Sequence, residues 1–238
     1  MTDVLVLTAV ELEARRLARE LELPRLGGAA FPIFERRRAG YRLRLAPVGL
    51  RAAGLEARWP DLLGDLSHPL VISAGTCGAL APELGVGDLV LPESVLGLAA
   101  ERLNVTPGAH GVALRCAPDA RTGLLLTTAD VVATPEAKAR CFRETGALTV
   151  DLESARILVR ASRAGCPSLV VRAVSDTARQ CLPAELVGLV TPEGKIPLAR
   201  VLALAVTRPA TMAQALVLRH GVGRALKAVA RVIAALVE

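Results

Sequence analysis

Two glutamates follow the first apolar run of this chain, and either of them could act as a base. The run at residues 4–8 leads into Glu11 and Glu13, where a buried strand should give way to a helix. Residues two apart point in different directions on a helix, so these two side chains cannot share one face. We therefore expect one carboxylate to face a cleft and the other to face solvent, and the local pattern leaves open which is which.

A glycine-rich segment follows a later buried run and could bind a small polar group. Gly75 and Gly78 flank Thr76, and glycines let the backbone approach a ligand closely. Free backbone N–H groups, together with the Thr76 hydroxyl, can hold an anion or an ordered water. The G-x-G-x-x-G spacing of a dinucleotide site is absent from this segment. We therefore predict no such cofactor.

Two further strand ends carry acids. Asp151, Glu153 and Ser154 lie where a short strand opens a helix, and Asp151 or Ser154 could instead cap that helix. Glu153 is placed where a carboxylate can accept hydrogen bonds from a vicinal diol. The apolar run at residues 170–174 ends in Ser175-Asp176, which projects an acid into the crevice where α/β sheets bind their ligands.

The elements that must position these residues alternate along the chain. Short runs rich in Val, Ile and Leu predict strands at residues 4–8, 41–48, 69–73, 88–91, 124–127 and 168–174. Helical periodicity predicts helices at 11–22, 51–59, 135–145 and 152–164. Because strands and helices alternate, we predict a three-layer α/β/α fold with a central mixed, twisted sheet, in a single domain over 1–238.

Composition excludes several classes of protein. Aromatic residues are only 2% of the 238, so the stacking platforms of nucleic-acid-binding proteins are missing despite a net charge of +6. Five cysteines without a C-x-x-C pair and three histidines without H-x-x-x-H spacing predict neither a disulfide framework nor a metal site. Charged residues or prolines interrupt each apolar stretch, and the N-terminus has no basic leader. We expect a cytoplasmic protein.

The segment 196–238 differs from the rest of the chain. Leu, Ala and Val alternate there with arginines at near-helical spacing, which predicts a tail of one or two amphipathic helices. Its apolar face could pack on the sheet or on a second copy of the chain, and we expect a homo-oligomer. Its basic face could instead contact anionic lipid at the inner face of a membrane.

Together these segments resemble the nucleoside phosphorylase superfamily, and especially its methylthioadenosine/S-adenosylhomocysteine nucleosidases. The resemblance extends from about Val4 to Ala178 and rests on the glycine block, V-D-L-E-S at 150–154 and R-A-V-S-D at 172–176. L-E-A-R at 12–15, S-D-T-A at 175–178 and the arginine-spaced tail are similar to the hopanoid-associated phosphorylase group, which acts on adenosylhopane. The resemblance implies a phosphorylase-like fold and release of adenine from a 5′-substituted adenosine, without a cofactor or metal.

The resemblance also implies a role for each site residue. Glu13 would activate the attacking water, Asp176 would protonate the purine at N7, and Glu153 would bind the ribose hydroxyls. It further implies Leu152, Val10 and Leu50 along the sugar, Gly75, Thr76 and Arg51 beside the water or phosphate, and Ser175, Val131 and Val132 beside the base. The two valines stand where the nucleosidases place an aromatic residue, so stacking on the base would be lost.

Water and phosphate compete as the nucleophile. A carboxylate at Glu13 can take a proton from water but repels a phosphate dianion, which favours hydrolysis. Phosphorolysis stays open, because arginines could offset that repulsion; the candidates are Arg15, Arg36, Arg37, Arg38 and Arg51. A non-catalytic, membrane-associated nucleoside-binding protein is the alternative from another class, and the basic, apolar tail is the feature that supports it.

Overall fold

The computed structural model describes residues 2–182 and 209–237, and one sheet organises them. Its strands are β1 Thr2–Thr8, β2 Phe34–Arg38, β3 Tyr41–Pro47, β4 Leu70–Ala79, β5 Leu89–Val90, β6 Ser94–Leu96, β7 Arg102–Asn104, β8 Leu124–Thr127, β9 Thr149–Asp151 and β10 Ser168–Asp176. The helices are α1 Glu11–Glu20, α2 Leu55–Leu63, α3 Pro107–Cys116, α4 Pro135–Thr145, α5 Ser154–Arg163 and α6 Pro209–Val237.

The sheet is mixed, with a parallel centre. Its strands follow the order β2-β3-β1-β4-β9-β8-β6-β7, while β10 pairs with both β4 and β5. Strand β4 runs parallel to β1 and β10, and its last residues turn to pair antiparallel with β9. The carboxyl ends of β1, β4 and β10 therefore lie at one edge, where ligands bind in such sheets.

Helices cover both faces of the sheet. Along β1, Val4 and Val6 pack in one core cluster and Leu5 and Leu7 in another, as the alternation of a strand requires. The first cluster contains side chains of α1 and α6, and the second contains side chains of α2 and α5. Each fully buried Leu or Val contributes roughly 1.5–3 kcal/mol. The predicted α/β fold with a central mixed sheet is confirmed.

Some predicted boundaries are wrong. The strand predicted at 69–73 continues to Ala79, and the helix predicted at 51–59 begins only at Leu55. Arg51 and Ala52 adopt left-handed backbone angles, with φ of 53° and 54°, so the chain forms a tight turn at Leu50–Ala52 before α2. Helix α5 begins at Ser154 because Glu153 before it is not yet helical.

Several short elements were not predicted. Strands β2, β6 and β7 and helix α3 were absent from the expected order, whereas β9 is the short strand expected before α5. Strands β6 and β7 are three residues long, too short to show a period. Strand β2 has the sequence Phe-Glu-Arg-Arg-Arg, which is typical of an edge strand but lacks the apolar residues by which a strand is predicted.

The described part of the tail is helical, and from residue 221 onward its apolar side chains pack into the core. Helix α6 runs over Pro209–Val237; the remainder of the predicted span, 196–208, lies outside the described residues. Leu226, Val229 and Ile233 are buried in the core, whereas the exposed face carries a basic stripe of Arg224, Lys227 and Arg231. No helix in the described part of the chain is long and apolar enough to cross a bilayer.

Candidate active site

A cavity of about 230 Å³ opens at the carboxyl edge of the sheet. Ten of the twelve predicted site residues line it: Val10, Glu13, Leu50, Thr76, Val131, Val132, Leu152, Glu153, Ser175 and Asp176. The other two, Gly75 and Arg51, do not. Residues distant in sequence thus meet in one place.

Glu13, not Glu11, faces this cavity. It lies in the first turn of α1 and is 5% exposed, whereas Glu11 pairs with Arg15 at the surface. One oxygen, Oε1, accepts hydrogen bonds from the Thr76 amide at 3.1 Å and the Thr76 hydroxyl at 2.9 Å. The other oxygen accepts a longer bond of 3.5 Å from the amide of Val10. These donors fix the carboxylate at the cavity wall.

Gly75 lies behind the wall, between two charged groups. A Cβ atom built on Gly75 would lie 2.7 Å from Nη1 of Arg172 and 3.0 Å from Oε1 of Glu13. Its φ of 148° is also one that other residues rarely adopt. The glycine is therefore needed because the guanidinium and the carboxylate crowd its α-carbon, rather than for direct ligand contact.

Arg172 is a buried cation that the sequence reasoning missed. Its side chain is 1% exposed, and Nη2 binds Oδ2 of Asp151 at 2.7 Å and the hydroxyls of Ser73 and Ser154 at 2.9 and 3.1 Å. Within the described chain its Nε has no hydrogen-bond partner. An arginine inside the apolar run V-V-R-A-V was the available signal, because such a charge must be paired.

Asp151 binds a hydroxyl and a backbone amide in addition to Arg172. Its carboxylate accepts hydrogen bonds from the hydroxyl of Thr127 at 2.7 Å and from the amide of Ser154 at 3.2 Å. It thereby satisfies the amide of Ser154, the first residue of α5, although the N-cap position of that helix is Glu153. The hydroxyl of Ser154 points to Arg172 instead.

Glu153 is buried, and its surroundings disfavour its charged form. Its Oε1 accepts a 2.9 Å hydrogen bond from the amide of Arg51, which the left-handed turn aims at it. Burial, reinforced by the neighbouring Asp151 carboxylate, raises the pKa of Glu153 to about 7, while Arg172 opposes the shift. Glu153 can therefore change its charge near neutral pH.

Arg51 contributes its backbone rather than its guanidinium. The side chain binds the carbonyl of Ala129 and, at 3.0 Å, the carboxylate of Asp130 on the surface. The other suggested arginines also lie elsewhere; Arg15 pairs with Glu11, and Arg36, Arg37 and Arg38 lie on β2. Among the cavity-lining residues that the structure describes, none is an arginine or a lysine.

Asp176 reaches the cavity from an irregular end of β10. The pairing of β10 with β4 shifts register between Val174 and Asp176, and such a bulge re-aims the side chains beside it. Oδ1 of Asp176 accepts a 2.7 Å hydrogen bond from the Ser175 hydroxyl. A Cβ atom on Gly78 would lie 3.2 Å from Oδ2, so this glycine leaves room for the carboxylate.

Lys138 was also missed by the sequence reasoning. This residue of α4 is fully buried, and its Nζ lies 2.6 Å from Oδ2 of Asp176. In sequence it stands in P-E-A-K-A-R, a context that does not distinguish it from a surface lysine. Only the packing of α4 against the segment after β10 reveals the pair.

The carboxylates that line the cavity are suited to general acid–base chemistry on a bound molecule. Glu13 and Asp176 line the same cavity with different hydrogen-bond partners, so each can take a distinct role in acid–base chemistry. Cys77 also lines the cavity, but burial raises the pKa of its thiol, which disfavours a nucleophilic thiolate. Within residues 2–182 and 209–237, no group of three His, Cys, Asp or Glu side chains could hold a metal ion.

Comparison with known proteins assigns the family. Residues 99–208 match the model described as phosphorylase superfamily. A futalosine hydrolase of Streptomyces coelicolor is 33% identical over 196 residues, covering 73% of this chain and 83% of that protein. The chain belongs to the phosphorylase superfamily.

Two further comparisons give a more distant relative and a shared fold. A DeoD-type purine nucleoside phosphorylase of Geobacillus kaustophilus is 27% identical over 150 residues, covering 58% of this chain and 64% of the relative. The crystal structure of a 5′-methylthioadenosine/S-adenosylhomocysteine nucleosidase from Neisseria meningitidis, with methylthio-immucillin-A, shares the fold with a TM-score of 0.73 at 20% identity, covering 100% and 99% of the two chains. Superfamily membership and the expectation of an enzyme are confirmed; the hopanoid-associated group stays a prediction.

Proposed function

We propose that this enzyme hydrolyses the N-glycosidic bond of a 5′-substituted adenosine and releases adenine. The observation that carries the proposal is the meeting of Glu13, Glu153 and Asp176 around one cavity, each with its own hydrogen-bond partners. The relatives described as futalosine hydrolase and as a methylthioadenosine nucleosidase support a hydrolytic reaction on a nucleoside.

Each carboxylate has one task in this reaction. Glu13 takes a proton from water, whose oxygen attacks C1′ while the bond from C1′ to the purine breaks. The electron pair passes to the purine, and Asp176 donates a proton to N7. Glu153 accepts hydrogen bonds from the ribose hydroxyls, with Leu152, Val10 and Leu50 against the sugar. A positioned acid or base of this kind contributes about 10²–10⁴ in rate.

Water is favoured over phosphate because of the charges at the wall. Glu13 is held by neutral donors of Thr76 and Val10, and the suggested arginines point elsewhere. Arg172 approaches Glu13 through Nη1 behind the cavity wall, but it does not line the cavity, and its Nη2 binds Asp151 and two serines. A phosphate dianion beside Glu13 would meet a carboxylate without contact to a cation among the described lining residues. The DeoD-type relative keeps phosphorolysis as the second candidate.

The narrower substrate proposal is a nucleoside with a long 5′ hydrocarbon, such as adenosylhopane. The cavity of about 230 Å³ is small beside the roughly 300–1,000 Å³ of drug-sized pockets, so it suits the nucleoside head rather than a lipid. Leu12, in the same turn as Val10 and Glu13, is 55% exposed and offers apolar surface nearby. We place the enzyme in the cytoplasm, as a homo-oligomer in which 1–238 is one domain.

Membrane contact, if the substrate is a lipid, would be electrostatic. The apolar side chains of α6 from residue 221 onward pack into the core, which leaves the basic stripe as the feature that can meet anionic headgroups. Each basic residue near such a surface contributes about 1 kcal/mol. Contact through this stripe places the enzyme at the inner face of the membrane.

One incubation series tests these proposals. The purified protein is mixed with adenosine, methylthioadenosine, futalosine or a long-chain 5′-alkyl adenosine, with and without phosphate, and the free base is measured. Hydrolysis predicts base release that does not depend on phosphate. Release only with phosphate would establish the phosphorylase alternative, and nucleoside binding without any release would establish the non-catalytic one.

A further inference from the structure

The ammonium of Lys138 is saturated by three acceptors in a fully buried place. Nζ donates to Oδ2 of Asp176 at 2.6 Å, to the carbonyl of Thr177 at 2.8 Å and to the carbonyl of Gln180 at 3.1 Å. Three acceptors require three N–H donors, so the geometry fits the charged form of the lysine. One side chain thereby ties α4 to both the carboxylate and the segment after it.

The same contacts define the state of Asp176. Oδ2 faces an ammonium and Oδ1 accepts from the Ser175 hydroxyl, so both oxygens have donors before any ligand enters. An opposite charge at hydrogen-bond distance favours the carboxylate over the neutral acid. The proposed reaction, however, needs Asp176 to donate a proton, and a carboxylate has none to give.

The other ionisable groups around the pair do not replace Lys138. From β4, Cys77 faces Asp176. Arg172 donates to Asp151, to the two serines and, at 3.5 Å, to the carbonyl of Thr76 rather than to Asp176. The remaining charged groups of the cavity are carboxylates that favour the neutral acid by repulsion, namely Glu13, Asp151 and Glu153. Among the described residues, Lys138 is thus the cation bonded to Asp176.

We propose that Lys138 is a positioning residue that holds Asp176 as an oriented carboxylate in the free enzyme, so that Asp176 becomes an acid only when a purine fills the cavity. This inference rests on the proposed function. A bound purine displaces water, which favours the neutral form of a carboxyl group, and N7 offers an acceptor for its proton. Asp176 takes that proton from solvent and passes it to N7 as the glycosidic bond breaks.

The state of Asp176 can be measured without catalysis. Carbon-13 NMR of protein labelled at the aspartate carboxyl carbons follows each protonation, and Asp176→Asn assigns the signal. In Lys138→Met the buried carboxylate loses its counter-ion, so we expect Asp176 to become protonated at a higher pH than in the wild type. Lys138→Arg keeps the positive charge, so Asp176 should become protonated at a lower pH in this variant than in Lys138→Met. Arg140→Met removes an exposed cation of the same helix, α4, and should leave the titration of Asp176 and the turnover unchanged.

Turnover provides the second readout. We expect Lys138→Met to lower kcat by about tenfold or more, within the range that a positioned acid supplies. If Lys138 acts through Asp176, Lys138→Met should change the rate of Asp176→Asn by less than about twofold, because residues that act together are not additive. The double variant, Lys138→Met with Asp176→Asn, leaves no unpaired charge in the buried place. It therefore serves as the test if Lys138→Met alone fails to fold.

Two results would overturn the inference. One is an Asp176 signal that titrates at the same pH in Lys138→Met and the wild type. The other is a double variant whose loss of kcat equals the product of the losses in Lys138→Met and Asp176→Asn, as two independent residues would give. If Asp176→Asn itself retains wild-type turnover, the proposed function fails instead, and the NMR titration still decides the role of Lys138.

Discussion

Glu153→Gln should stabilise the ligand-free fold at alkaline pH and abolish turnover. Glu153 is 4% exposed, and its pKa of about 7 lies above the ordinary value of 4.5. Between these values the folded chain retains a proton that the unfolded chain has released. The contribution of Glu153 to stability is therefore greatest below pH 4.5, declines as the pH rises to about 7 and is level above that.

The size of the effect follows from the same two values. Each pH unit between them corresponds to about 1.4 kcal/mol, so ionising Glu153 in the folded chain costs roughly 3 kcal/mol more than in the unfolded chain. Between about pH 5 and pH 8, the free energy of unfolding of the wild type should fall by roughly 2–3 kcal/mol relative to Glu153→Gln. Glutamine keeps an oxygen that can accept from the Arg51 amide, so that hydrogen bond is preserved.

Denaturant unfolding of both proteins across this pH range measures the difference. Other titrating groups are common to the two proteins and largely cancel, and Glu144→Gln on the exposed end of α4 controls for the loss of a surface carboxylate. Turnover should be lost in Glu153→Gln alone, because an amide is a poorer acceptor for two ribose hydroxyls. If the difference in the free energy of unfolding between Glu153→Gln and the wild type is the same at every pH, burial does not raise the pKa of Glu153.

Three further predictions test the other parts of the site. Asp176→Asn should lower base release by about 10²- to 10⁴-fold in a folded protein, because an amide cannot protonate N7; near wild-type turnover would remove Asp176 from the mechanism. Glu13→Gln should bind nucleoside without cleaving it, measured by calorimetry and base release, while Glu11→Gln behaves as the wild type; the reverse pattern would reassign the base. Long 5′-alkyl adenosines should be cleaved better than methylthioadenosine, and the protein should bind anionic vesicles in a salt-sensitive way. Replacement of the basic stripe by glutamine should remove vesicle binding; retained binding, or a preference for methylthioadenosine, would contradict the lipid proposal.

The sequence by itself determined the fold class and the positions of the acids. Alternating apolar runs specify β1, β4 and β10, and the polar residues that follow them must lie at the carboxyl edge of a parallel sheet. For this reason the order of residues alone predicts that Asp176 lies at this edge with one of Glu11 and Glu13, and that Glu153 follows a further strand end. Their positions depend on strand ends, which are local features of the chain.

The tertiary structure decided which charges meet. Helix phase and packing turned Glu13 inward and left Glu11 with Arg15, a choice that two neighbouring glutamates in the sequence cannot show. Lys138 and Arg172 became buried partners of carboxylates far along the chain, at separations of 38 and 21 residues.

Backbone geometry made a further decision of the same kind. The left-handed turn at Arg51 sent its amide to Glu153 and its guanidinium to the surface, against the role expected from its side chain. Local propensity depends on neighbours in sequence, whereas the charge state of a buried carboxylate depends on neighbours in space, and only the folded chain brings those neighbours together.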